Sequence, residues 1–312
     1  MENIIFSFQT VFPLLAYMLV GLLVKRTKIA NEHALSQMNN IVFKILLPMS
    51  IFRNIVTADM SGVNMGPVLI YAVVAVFIIF LLAWAVFARW ETDPKKKSVM
   101  IQNAFRSNFV LFGLPLTQMI LGGKGSGVTE ILIAVVVPFF NVLAVFILQY
   151  YNESKMNFKS LIIGMLTNPL IVSSLIALLY KFTLKSIPVF LETTVNGLAS
   201  AATPLALIVL GSRFEFKESV RYKKYLVAGV LSRLIIVPVI FLGGAILLGF
   251  RGETLIAYIA VSASPVAVAS YAMSQGANAD YKLAGQLLVY NSVFCSVSLF
   301  FIIYLLRSFQ FI

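Results

Sequence analysis

Asn108–Leu116 (NFVLFGLPL) and Ser262–Ser270 (SASPVAVAS) each set a small residue and a proline in the middle of an apolar stretch long enough to cross a bilayer. Proline removes a backbone donor and its ring clashes with the preceding turn, so in mid-span it kinks or breaks a helix. The first stretch carries Gly113 and Pro115, the second Ser264 and Pro265. Where a span breaks, its second half begins with unpaired N–H groups and the positive end of a helix dipole. Two such ends facing one cavity favour a carboxylate or similar anion. The competing reading of either proline alone is a plain kink, which membrane helices tolerate without a ligand.

The surrounding chain has 312 residues, 60% hydrophobic and 12% charged, with a mean hydropathy of +0.94. Soluble domains average about half apolar and about a quarter charged, so lipid rather than water faces most of this surface. The net charge of +12 comes from Lys and Arg placed between apolar runs, where they anchor spans and meet anionic headgroups. That placement argues against nucleic acid as a partner. Cys295 is the single cysteine and forms no intrachain disulfide. The first apolar run, 4–24, is too long for a signal h-region, and its basic residues Lys25, Arg26 and Lys28 follow it, so it reads as a retained span.

Runs of about 20 apolar residues mark spans. Ten are predicted, at about 4–24, 33–52, 67–88, 99–121, 129–150, 160–180, 188–210, 225–248, 254–275 and 283–306. The second, fourth, seventh and ninth are the least apolar, and polar residues inside spans face protein or water. With the N-terminus outside, 15 basic residues fall in inner loops and 6 outside, so the positive-inside rule makes both termini extracytoplasmic in a multi-pass cell-membrane protein. Pro13 and Pro169 stand 156 residues apart, as do Lys25 and Lys181, Asn40 and Asn196, and Pro48 and Pro204. A longer loop around Arg89–Ser98 would drop the offset to 150 for Pro115 and Pro265 and for Asn141 and Asn291. The pattern predicts two five-helix repeats, 1–155 and 156–312. An odd number of spans inverts the second, an architecture that places a transporter's site near the midplane.

All twelve acids fall in loops or at span ends, whereas Lys44, Arg106 and Arg233 fall inside spans. A cation carrier needs carboxylates at depth, so the pattern favours an anion. Arg106 suits a carboxylate, which arginine binds bidentately, or snorkels to the inner headgroups. Lys44 and Arg233 read as structural or snorkelling. Asn141 and Asn291 sit mid-span and suit a substrate or freed backbone groups. Asn108 belongs to the first break, and Tyr290 neighbours Asn291. Asn40 and Asn196 read as packing residues. His33 is the sole histidine and lies in the first inner loop. Neither a metal-ligand cluster nor a Ser/His or paired-Asp catalytic set occurs in the spans, so no metal, cofactor or enzyme activity is expected.

Asn39–Ile55 (NNIVFKILLPMSIFRNI), Asn108–Leu116, Thr203–Phe214 (TPLALIVLGSRF) and Ala263–Ala284 (ASPVAVASYAMSQGANADYKLA) resemble the auxin efflux carrier family, whose bacterial members include malate- and malonate-type permeases. The resemblance covers essentially the whole chain. It implies fourth and ninth helices that cross at Pro115 and Pro265, a scaffold of spans 1, 2, 6 and 7, and a mobile unit of spans 3–5 and 8–10. It also implies elevator-type transport of organic anions by a homodimer, with site positions Asn108, Pro115, Asn141 and Pro265. Two departures stand out: only about Tyr151–Lys159 links the repeats, and the third span holds no acid for proton coupling.

The function expected is secondary transport of small organic anions, mono- or dicarboxylates. A sodium-coupled symporter resembling the bile-acid carriers is the alternative within transport, because carbonyls at the breaks can hold sodium. A membrane-embedded sensor or enzyme would need an output domain or a catalytic set, and the sequence offers neither.

Overall fold

Apolar surroundings require every backbone N–H and C=O to be satisfied within the chain, and a helix does this within one segment. The computed structural model accordingly is all-helical; it describes residues 2–57, 64–122, 127–152, 163, 167, 169–183, 188–212 and 220–312. The expected junction between the repeats lies outside these residues. In chain order the helices are α1 (Glu2–Arg26), α2 (Glu32–Thr57), α3 (Met65–Trp90), α4 (Pro94–Phe105), α5 (Phe109–Ile120) and α6 (Gly127–Tyr151). There follow α7 (Pro169–Thr183), α8 (Val189–Ser212), α9 (Lys223–Leu247), α10 (Gly252–Ala263), α11 (Ala269–Gly276) and α12 (Tyr281–Ser308). Among the described residues α2, α3, α6, α9 and α12 are long and apolar enough to cross a membrane. The protein is a multi-pass membrane protein.

Three π-helical turns lie inside these helices, and a proline follows each by two residues. Val42–Leu46 precedes Pro48, Phe109–Gly113 precedes Pro115, and Ser232–Ile236 precedes Pro238. The ring cannot donate to the carbonyl four residues back and crowds it, so the turn before it widens. Leu47, Leu114 and Val237 donate to the carbonyls of Val42, Phe109 and Ser232, five residues back.

Pro115 therefore widens a helix without ending it. The fourth span breaks earlier, at Arg106–Asn108, between α4 and α5. Pro265 does lie in the break of the ninth span, in the extended link between α10 and α11. The two prolines are thus not equivalent in place. The half-helices before the breaks are twelve residues each and begin 158 residues apart, at 94 and 252. The expected drop in offset to 150 is corrected by this spacing: the link 91–93 is no longer than the link 248–251. Matching prolines by letter failed because proline performs two different backbone tasks here.

Packing sorts the helices. Gly21 of α1 and Gly211 of α8 bring those backbones into contact, and a methyl group on either would collide with the carbonyl of Ile208 or Met18. Close approach of this kind is how membrane helices associate without a hydrophobic driving force. The Ser173 hydroxyl of α7 donates to the Pro48 carbonyl, and the Lys181 ammonium donates to the Ile55 carbonyl at 2.9 Å, holding α7 to α2. On the other side α3, α4 and α6 pack together, as do α9, α10 and α12.

Away from the spans, Glu91 in the link after α3 accepts from the backbone amides of Thr92 (2.9 Å) and Asp93 (3.0 Å) and faces Lys224 at 3.7 Å. Burial works to raise its pKa, but the Tyr225 hydroxyl, those two amides and Lys224 outweigh it and hold the carboxylate at about 2.

Candidate functional site

The two breaks cross each other. Ser107 and Val266 form an isolated antiparallel bridge; the Asn108 amide donates to the Pro265 carbonyl at 2.7 Å, and the Ala267 amide to the Arg106 carbonyl at 3.3 Å. Each break thus satisfies part of the backbone the other one frees, as buried amides require.

Behind the crossing, α4 and α10 end together on Arg233, which is fully buried. Its Nε donates to Ser264 O (2.9 Å), one terminal nitrogen to Ala104 O (2.9 Å) and Phe105 O (3.4 Å), and the other to Ser262 O (2.9 Å) and Val261 O (3.2 Å). Five guanidinium protons meet five carbonyls. The widened turn Ser232–Ile236 carries the side chain there. Of the two readings of Arg233, structural or snorkelling, the structure selects the first.

In front of the crossing lies a cavity of about 710 Å³. The starts of both second half-helices, Asn108–Leu111 and Ala267–Ala269, line it, so the two N-terminal ends do face one space. Arg106 also lines it, 4% exposed, and donates to Asn141 Oδ1 of α6 at 2.5 Å while touching the Met273 sulfur of α11. That bond orients the Asn141 amide so that its Nδ2 finds no hydrogen-bond partner among the described residues. The same holds for Asn108 Nδ2 and the Ser107 hydroxyl, both buried. Leaving such groups unpaired costs roughly 1–3 kcal/mol each.

The facing wall comes from α2 and α8: Ser36, Asn39 and Asn40, with Phe43, Leu47, Ala206 and Ser212. Asn40, expected to serve packing, is exposed on this wall. Asn39 and Ser36 were not anticipated; the polar content of the second span was their only signal. The acid on the lining is Glu32, at the rim and paired with Lys25 at 3.2 Å. Glu130, in the first turn of α6, is buried away from the lining, where the charges of Lys181 and Arg53 act on it.

Of the predicted site residues, the cavity gathers Arg106, Asn108 and Asn141. Ser264 and Pro265 support it from behind, through carbonyls that accept from Arg233 and Asn108; the Ser264 hydroxyl bonds Ala260 O at 2.7 Å. Gly113 and Pro115 do not line it. Gly113 lets α5 touch α10, where an added Cβ would stand 2.8 Å from Ala260 O. Asn291 lies outside the lining too. It donates to Asn103 Oδ1 (2.9 Å) and Leu287 O (2.7 Å), and Asn103 in turn donates to Gly229 O (2.9 Å), so this chain ties α12 to α4 and α9. Tyr290 stacks on Phe294, their centroids 6.3 Å apart, beyond the lining. Among the described residues no cluster of His, Cys, Asp or Glu could hold a metal.

Comparison with known proteins agrees with this membrane architecture. An uncharacterized transporter of Methanothermobacter thermautotrophicus (strain Delta H) is 25% identical over 316 residues, covering 94% of this chain and 96% of the relative. The family described as membrane transport protein matches residues 6–159 and 153–303. A helical membrane chain with two crossed, broken helices and that family's sequence along almost its whole length belongs to the membrane transport protein family, the auxin efflux carriers among them.

Proposed function

We propose that the protein is a secondary transporter of small organic anions, mono- or dicarboxylates, which it carries across the cell membrane by elevator-type alternating access. One observation carries this reading: the Arg106 guanidinium, the Asn108 and Asn141 amide nitrogens and the Ser107 hydroxyl converge on one cavity, and among the described residues the acid on its lining, Glu32, is paired with Lys25. Donors without acceptors are complementary to an anion, and arginine and amide donors suit a carboxylate. A single guanidinium matches a single buried carboxylate, and Phe43, Val137 and Phe140 suit an uncharged remainder.

The two walls support this mechanism. One is built by α2 and α8, which pack with α1 and α7; the other by the crossing with α6 and α11. A site on the boundary between two packed units is what sliding of one past the other requires. Glu32 and Gln275, exposed lining residues at helix ends, lie on the cytoplasmic side by the positive-inside assignment. On that assignment we read the cavity as open to the inner side, with both termini extracytoplasmic. The ten-span arrangement as two inverted repeats, 1–155 and 156–312, finds support in the matched half-helices α4 and α10 and their antiparallel crossing. Dimerisation through α1, α2, α7 and α8 is part of the same reading.

Purified protein in liposomes, screened with labelled malate, malonate, lactate and indole acids, tests it. Saturable uptake of at least one carboxylate, lost in Arg106→Gln, is the expected result. Movement of a cation or neutral solute with no anion moved would overturn it.

A further inference from the structure

Arg233 does more than fill space, because of what it replaces. The last turn of a helix exposes carbonyls worth about half an elementary negative charge. Two such ends, α4 and α10, meet inside the protein, so about one negative charge accumulates far from water. A concave set of carbonyls at half-helix ends is also the arrangement that holds a sodium ion in transporters with broken helices. Here Ala104, Phe105, Val261, Ser262 and Ser264 turn their carbonyls to one point, and the guanidinium of Arg233 sits on it with five donated bonds between 2.9 and 3.4 Å.

We infer that Arg233 is a tethered cation that takes the place of a coupling sodium ion at the crossing, so that transport does not depend on sodium. One guanidinium charge balances the two helix ends, and its five protons leave none of those carbonyls for an ion. The charge is fixed to α9, so it moves with the crossing and cannot dissociate into either compartment. A coupling ion must bind and leave in each cycle; a residue cannot. The inference bears on coupling and so rests on the transporter reading for its consequence, but the cation site itself is testable without any substrate. Other buried polar groups nearby fit the same arrangement: the Cys295 thiol donates to Ala263 O at 3.4 Å, adding to the cap on α10.

The test measures thermal stability of purified protein in sodium, potassium and choline chlorides at equal ionic strength. Wild type is expected to unfold at the same temperature in all three. Arg233→Ala is expected to unfold several degrees lower in choline chloride and to recover part of the loss in sodium chloride or in guanidinium at sub-denaturing concentration. Arg233→Lys, which restores charge without the fork, is expected to lie between them. Stabilisation of wild type by sodium over choline would overturn the inference, and so would an Arg233→Ala protein indifferent to every added cation. If Arg233→Ala does not fold, wild type and Arg233→Lys decide: sodium-dependent stability in either one refutes the tethered-cation assignment, and its lack in both supports it. Because no carboxylate enters these measurements, failure of the anion-transport reading would show separately in the liposome assay.

Discussion

Arg106 and Arg233 are both buried arginines at the crossing, and they differ in what surrounds them. Arg233 spends all five donors on backbone carbonyls of the two half-helices. Arg106 is held by one amide oxygen and a thioether, beside donors that have no acceptor among the described residues. The first has all its donors met by backbone carbonyls and the second has only two partners among the described residues. Burial depth alone does not separate these two charges; the count of acceptors does.

Exchange of each arginine breaks that comparison most severely. Arg233→Ala should destabilise the protein by about 3–5 kcal/mol, because the five carbonyls lose the cation that they share. Arg106→Gln should leave stability unchanged or raise it, since a buried charge with few acceptors is removed, while uptake falls about 10- to 100-fold. Melting curves and uptake measured on the same preparations check both, and an equal loss of melting temperature in the two variants would erase the distinction.

The paired asparagines sharpen it next. Asn141→Ala should reduce uptake about tenfold with little change in melting, as one hydrogen bond to an anion is lost. Asn291→Ala should do the reverse, costing about 1–3 kcal/mol by stranding the Asn103 carbonyl while uptake per folded molecule persists. Uptake normalised to folded protein separates the two, and a transport defect in Asn291→Ala would return that residue to the site.

Further from the crossing, Glu91 tests what a satisfied charge contributes. Its pKa is held at about 2, below the ordinary carboxylate value of 4.5, so its stabilisation is fully present above about pH 4.5 and is lost as pH falls towards 2. Glu91→Gln should lower stability by about 1–2 kcal/mol at neutral pH and flatten the acid limb of the stability curve. An unchanged acid limb would show that the carboxylate is not the group responsible. The smallest effect is expected at Pro115→Ala: the turn before it can tighten, and uptake should change less than about threefold. A larger loss would mean that the widened turn Phe109–Gly113 shapes the cavity directly.

Much of this was legible from the chain. Long apolar runs required lipid-facing helices, and the polar fourth and ninth spans announced breaks. Arg106, Asn108 and Asn141 were each recognised as polar residues at depth. Letter-matching misled where one residue type serves two ends: Pro115 widens a helix whereas Pro265 sits in an extended link, and Asn291 braces helices whereas Asn141 meets the cavity.

Hydrophobicity and proline chemistry are local, so the sequence by itself determined that the chain is a helical membrane protein with two interrupted spans. Which polar group faces the cavity depends on who supplies its partner, and those partners lie 28 to 188 residues away, as for Arg233 with Val261 and Asn291 with Asn103. Only the tertiary structure could decide that Arg233 closes the crossing and Arg106 opens onto the cavity, because a hydrogen bond is a property of two positions in space.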